Sequence, residues 1–160
     1  VGVASAVICA KAGANVILIG RNIEKVGKVA GICNDRYKSK NVKPGADADK
    51  SEYFKIADVV LNTGAAGIQL MTEEHIKNSD TLKICADTNA VPPAGIAGVD
   101  VMDNAKLIET SPSKCLGIGA LAIGNIKYKA QHECLKLMYT SEKPVYLDFE
   151  DAFKFAQQSV

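Results

Sequence analysis

The sequence predicts an α/β protein built on a doubly wound parallel sheet, and three observations carry that prediction. Short apolar runs of the fully buried strand type recur at residues 16–19, 58–62 and 82–86, each bounded by turn-forming residues. Between them lie segments whose apolar residues repeat at helical spacing. The strands run out into turns rich in glycine, alanine, threonine and asparagine, and open parallel sheets bind ligands outside the carboxyl ends of their strands. Strands that alternate with helices are joined by crossovers, which impose parallel pairing.

Taken in order, residues 3–13 (VASAVICAKAG) are small and apolar with one charge, Lys11. This suits a helix packed closely on a sheet and stopped by Gly13. Residues 16–19 make the first strand. The helix that follows spans 22–37, with Ile23, Val26, Val29, Ala30 and Cys33 on one face and Asn22 as its N-cap. The polar stretch 38–50 is expected to be a surface loop in which Lys38, Lys40 and Lys43 are solvated. A short helix over 51–56 leads to the strand 58–62 and the turn Thr63-Gly64-Ala65-Ala66-Gly67. Residues 72–78 open with Thr-Glu-Glu, a helix N-terminal pattern, and 82–86 is the third strand. Residues 87–100 (DTNAVPPAGIAGVD) carry too much glycine and proline for a regular element. They form a long ordered loop, of the kind that usually carries function. Residues 118–123 are apolar and interrupted by glycine. A helix is expected over 125–138, with Ile126, Ala130, Cys134, Leu135 and Met138 at helical spacing, and a last helix over 149–158.

Composition excludes several classes of function. The 160 residues, 48% apolar and 23% charged, suffice for one domain with a core of its own. A formal net charge of +1 gives no global reason to expect nucleic acid or an anionic membrane as partner. No apolar run reaches the roughly 18 residues of a membrane span, and the opening segment lacks the basic flank of a signal peptide. A cytoplasmic location is expected. The five cysteines, Cys9, Cys33, Cys85, Cys115 and Cys134, are odd in number and include no C-x-x-C pair, so they read as core residues and no metal is expected. His75 and His132 fall on polar helix faces and receive no catalytic role. The chain opens with valine, and its first element is already a helix. It is therefore expected to be a fragment that lacks the first strand of its sheet.

Gly2 stands directly before a small-residue helix, where the third glycine of a G-x-G-x-x-G turn allows close packing of helix on strand. By itself that is a weak sign of a dinucleotide site. The residue that reads the adenosine ribose is expected about 20 positions further on, at the end of the next strand. The sequence there is Gly20-Arg21-Asn22. Arg21 offers a planar cation suited to a 2′-phosphate, and Lys25 can join it, which favours NADP with NAD as a second possibility. The alternative is that Arg21 is simply solvated or pairs with Glu24. Thr63, Gly64 and Ala65 at the next strand end, and Asp87 and Asn89 at the one after, bring small or amide-bearing groups to the same edge. Such groups suit a ribose or a carboxamide. The competing reading makes these residues a tight turn and a loop cap, with Asp87 bonding the loop's backbone.

The strings VGVASA, ILIGRN, LNTGAAGIQL, ADTNAVPPAGIAGVD and GIGALAIGNIKYKAQ, in that order, resemble the methylene-tetrahydromethanopterin dehydrogenases of methylotrophic bacteria. The resemblance spans essentially the whole chain and corresponds to that family's carboxyl-terminal, NAD(P)-binding half. It implies a Rossmann-like doubly wound parallel sheet without its first strand and without the amino-terminal substrate domain, against which the terminal helices (about 125–160) would pack. The implied reaction is hydride transfer from a methylene-tetrahydromethanopterin, the pterin one-carbon carrier, to NADP or NAD, giving the methenyl form. No catalytic triad is needed, because the two nitrogens flanking the reacting carbon spread the developing charge and catalysis is mostly alignment. The resemblance further implies a functional lysine, which falls on Lys127, with Pro92 on the substrate side and a homo-oligomeric whole enzyme. Rival readings are another dehydrogenase on this half-fold, of the methylene-tetrahydrofolate or shikimate type, and a non-catalytic dinucleotide sensor. The fragment alone is expected to be inactive.

Overall fold

Six segments of the sequence become helices and six become strands in the computed structural model, which describes residues 1–158. The helices are α1 (Gly2–Lys11), α2 (Ile23–Tyr37), α3 (Lys50–Ile56), α4 (Glu73–Lys77), α5 (Ala120–Thr140) and α6 (Phe149–Gln157). The strands are β1 (Val16–Gly20), β2 (Val42–Ala46), β3 (Val59–Asn62), β4 (Ile84–Asp87), β5 (Asn104–Leu107) and β6 (Leu116–Ile118).

The first unit grows from α1. Its Ala6, Val7 and Ala10 are buried, and Gly13 closes the turn to β1 with φ +95°, a conformation that suits glycine. The Asn22 side chain caps α2 by accepting from the Lys25 N–H. Of the expected apolar face of α2, Ala30 and Cys33 are fully buried, whereas Ile23 stays 47% exposed. The stretch 38–50 is not simply a loop: it contains β2, which runs parallel to β1 with Val16 opposite Val42 and Gly20 opposite Ala46. Pro44 and Gly45 disguise this strand in the sequence. Among the described residues β2 pairs with β1 alone, and proline is tolerated on an edge strand. Asn34 of α2 pins it from the side, donating to the Val42 carbonyl and accepting from its N–H. Lys38, Lys40 and Lys43 are exposed, as expected. Val42 joins α1 and α2 in one apolar cluster, with Tyr37 and Phe149 packed beside it.

The second unit is a four-stranded sheet in the order β3-β4-β6-β5, parallel except for β5. Its core gathers Phe54 of α3, Ile76 of α4, Met71, Leu82, Cys85, Ile96, Val99, Ile108 and Cys115. β5 and β6 have no sequence signal. β5 (NAKL) is exposed along its length and bulges at Ala105, so pairing rather than side-chain pattern makes it a strand. The run 118–123 divides: Ile118 ends β6, Gly119 is an N-cap, and α5 starts at Ala120, earlier than its sequence suggests.

One expectation is thus corrected: the sheet is not wholly parallel, since β5 runs antiparallel to β6. Among the described residues the strands form two ladders, with β1 bonded to β2 and β3 bonded to β4. The apolar spacing on α5 is present but not covered: Ala130 is buried, while Ile126, Leu135 and Met138 are exposed. α5 packs mainly on α6. All five cysteines are unbridged, with Cys33, Cys85 and Cys115 buried and Cys9 and Cys134 partly so. Among the described residues no helix is long and apolar enough to cross a membrane.

Candidate functional site

The carboxyl ends of β3 and β4 lie side by side, with Asn62 in register with Asp87. Both are inward-facing and buried, 5% and 2% exposed. The Asp87 carboxylate gathers donors from every direction open to it. One oxygen accepts from the Asn62 side chain (2.7 Å) and the Asn89 N–H (3.0 Å), the other from the N–H groups of Gly95 (2.7 Å) and Ile96 (3.0 Å). Four acceptor positions on an ionised carboxylate are thereby filled. Asn62 spends its other amide atom on the Gly64 N–H (3.0 Å), and its carbonyl accepts from both the N–H and the hydroxyl of Thr88.

The turn after β3 and the loop after β4 are laced together. Asn89 accepts from the N–H groups of Gly67 and Val91 and donates to the Pro93 carbonyl (2.8 Å). The Gly95 carbonyl accepts from Leu70 and Met71, and Met71 in turn accepts from Ala97. Gly67, at φ +74°, brings the turn to where a side chain would meet the Pro92 carbonyl. Among the described residues no buried side-chain polar atom is left without a partner. The long Gly/Pro loop is therefore fixed by hydrogen bonds, although few of its residues belong to a regular element.

Of the other predicted residues, Gly2, Gly64, Ala65 and Pro92 lie on or against this edge. Gly2 opens α1 directly against the β3 turn: a Cβ there would stand 2.9 Å from the Thr63 hydroxyl. Gly64 and Ala65 are exposed on the turn, and Pro92 is exposed on the loop. Arg21, Asn22 and Lys25 sit where β1 ends and α2 begins, all exposed. The Asn22 amide oxygen is occupied as the α2 cap. Among the described residues neither Arg21 nor Lys25 forms an ion pair, and Glu24 does not neutralise Arg21.

Lys127 is exposed on α5, about two turns in from the start of the helix. Helix-end electrostatics fade within the first turn, so the dipole gives this lysine no special status. The sequence reading passed over Asn62 and Gly95. The signal for Asn62 was present: a polar side chain closing an apolar strand, matched by Asp87 closing the next.

Elsewhere, Ser51 Oγ lies 2.9 Å from His75 Nε2, a spacing that resembles a nucleophile and its base. The Thr72 N–H donates to Nδ1, which leaves the ring proton on Nε2 pointing at Ser51. His75 is thus a donor to the serine and the N3 member of a helix capping box. Burial, then the Lys50 charge, holds its pKa below the ordinary value. Burial likewise pushes the Cys85 thiol far up, with Cys115 and Asp87 adding to the effect, so it is no nucleophile. Two surface hollows of about 280 and 260 Å³ lie away from the strands' carboxyl ends, one around Leu82 and Ser113, the other around Ser51 and His75. Among the described residues no group of three or more His, Cys, Asp or Glu could hold a metal ion.

The chain is 40% identical over 158 residues, 95% of its length, to the NAD(P)-dependent methylenetetrahydromethanopterin dehydrogenase of Methylorubrum extorquens. The chain is a relative of this dehydrogenase. It is also 35% identical over 149 residues, 91% of its length, to the bifunctional protein MdtA of the same organism. It covers 52% and 50% of those two proteins, so the chain spans about half the length of the curated relatives it matches. No protein-family model matches it.

Proposed function

We propose that this chain forms the dinucleotide-binding part of an NAD(P)-dependent methylene-tetrahydromethanopterin dehydrogenase. The observation that carries the proposal is the 40% identity maintained over 95% of the chain to a dehydrogenase of that name. The strand-end edge fits a nicotinamide dinucleotide. Gly2 leaves room at the start of the first helix for the Thr63 hydroxyl of the β3 turn, and Gly64 and Ala65 keep that turn low, so a flat ligand can approach backbone. NADP, when bound, supplies the hydride acceptor. The chain's own residues would bind and orient: Arg21 and Lys25, exposed and without an ion pair among the described residues, would take the 2′-phosphate, which favours NADP over NAD. Asn22 would fix the turn that carries them. Lys127 would act on the pterin side, with Pro92 on the substrate face of the loop.

The finer fold reading is a Rossmann-like doubly wound sheet in which another parallel strand belongs between β1 and β3. It is supported by the unpaired edges of these two strands and by the exposure of Ile17, Val59 and Leu61 along them. The uncovered apolar residues of α5 support a reading in which the terminal helices pack on further polypeptide, such as the other half of the longer relatives, in a homo-oligomeric enzyme.

The test offers methylene-tetrahydromethanopterin and methylene-tetrahydrofolate side by side, each with NADP and NAD, to the natural polypeptide carrying this chain. Reduced nicotinamide is followed by absorbance. Reduction with the methanopterin carrier, faster with NADP, is expected. Dinucleotide binding without hydride transfer to either carrier would overturn the enzymatic reading. Residues 1–160 alone are expected to be inactive in the same assay.

A further inference from the structure

We propose that Asn62 and Asp87 are a positioning pair: a buried clasp that sets the β3 turn and the β4 loop as one preformed wall for the nicotinamide half of the cofactor. The proposal rests on the dinucleotide-binding reading above. In a doubly wound sheet each half of the fold takes one half of a dinucleotide. The β3–β4 edge belongs to the half opposite Arg21, on the nicotinamide side.

Position 62 needs a side chain that donates toward the Asp87 carboxylate and accepts from the Gly64 N–H, and both bonds are made. An amide on a short stem does both. Aspartate keeps the Gly64 bond but sets two carboxylates face to face, while leucine leaves both partners unpaired in a buried place. Asp87 in turn reaches both ends of the loop, Asn89 near its start and Gly95 and Ile96 near its finish. With its four acceptor positions turned inward, the carboxylate acts through the loop it holds rather than on a ligand. Gly95 completes the arrangement, because a Cβ there would fall 1.8 Å from the Asn62 amide nitrogen.

The test uses the natural polypeptide carrying this chain, with Asn62→Asp and Asn62→Ala, and two probes: NADPH, and adenosine 2′,5′-bisphosphate, which lacks the nicotinamide half. Expected is a loss of at least about tenfold in NADPH affinity with less than about a twofold change for the adenosine probe, since local disorder touches only one half-site. Equal weakening of both probes, or of neither, would overturn the clasp's role. Should both variants fail to fold, hydrogen exchange in the unaltered protein without ligand decides: the Asn89, Gly95 and Ile96 amides are expected to be protected, and exchange at the unprotected rate would overturn the preformed wall. If the unaltered protein binds neither probe, the dinucleotide reading itself fails and the proposal with it.

Discussion

Replacing Gly95 by alanine adds one carbon to a crowded place at the ends of β3 and β4. The new Cβ would stand 1.8 Å from Asn62 Nδ2, 2.9 Å from Asp87 Oδ1 and 3.1 Å from Asn62 Cγ. Gly95 does not lie in the left-handed region, so the effect is steric rather than conformational. Moving the Gly95 backbone away strains its 2.7 Å bond to Asp87 and the bonds its carbonyl accepts from Leu70 and Met71. Rotating Asn62 away breaks its bonds to Asp87 and to the Gly64 N–H. The first of these is a hydrogen bond to a charged group, worth about 1.5–3 kcal/mol, and a stranded buried amide costs about 1–3 kcal/mol more. The expected loss is roughly 3–5 kcal/mol, or a melting temperature lower by about 10 °C for a chain of this size. Differential scanning calorimetry on purified Gly95→Ala measures it directly. A melting temperature within about 2 °C of the unaltered protein would show that the clasp yields without cost, and the packing argument would fall.

Gly31→Ala is the complementary control: it sits inside α2 with open space around it, so the substitution should raise the melting temperature by about 2 °C through helix propensity alone. The pKa of His75 is held below its unfolded value, so the unfolded chain takes up the proton first. Its contribution to stability is complete above about pH 6.5 and is lost as pH falls through the lower folded value; His75→Gln, which can keep the capping box, should flatten that acid limb while matching the unaltered protein near about pH 8 in thermal melts. Arg21→Ala should weaken NADPH binding at least about tenfold and leave NADH within about twofold, read by nicotinamide fluorescence; parallel losses would remove Arg21 from the 2′-phosphate site. In the active polypeptide Lys127→Ala should lower turnover at least about tenfold with little change in cofactor affinity, and unchanged turnover at saturating pterin would take Lys127 out of the reaction.

Elements held by apolar periodicity were legible in the sequence. α1, β1, α2, β3 and β4 stand within a few residues of their expected places, because each packs apolar side chains against a core. β2 and β5 were not legible, for opposite reasons. β2 carries Pro44 and Gly45, which argue against a strand until its edge position is known; β5 has no buried side chain and exists through its ladder with β6. The α5 stripe shows the limit of periodicity from the other side, since spacing states which residues share a face and not what covers it. At the site, the strand-end positions of Thr63, Gly64, Asp87 and Asn89 followed from the alternation of elements, whereas the bond from Asn62 to Asp87 depends on a register that local sequence does not state.

That register gives the polar pair its meaning. Along β3 the side chains alternate, with Val59 and Leu61 exposed at 48% and 42% while Val60 packs on the core and Asn62 is buried. On β4 the inward positions are Cys85 and Asp87. The last inward position of each strand is therefore polar where the preceding one is apolar, and parallel pairing sets the two polar residues next to each other. Two aliphatic side chains would fill this space and keep the core continuous; the amide and carboxylate must instead make five hydrogen bonds to offset desolvation. Four of those five bonds go to the turn or loop beyond the strands and the fifth joins the two side chains, so the polar pair contributes order outside the sheet rather than apolar stability within it. A fold that needed only stability had a simpler choice at both positions. The residues present favour a fixed loop at the edge where a doubly wound sheet meets its ligand.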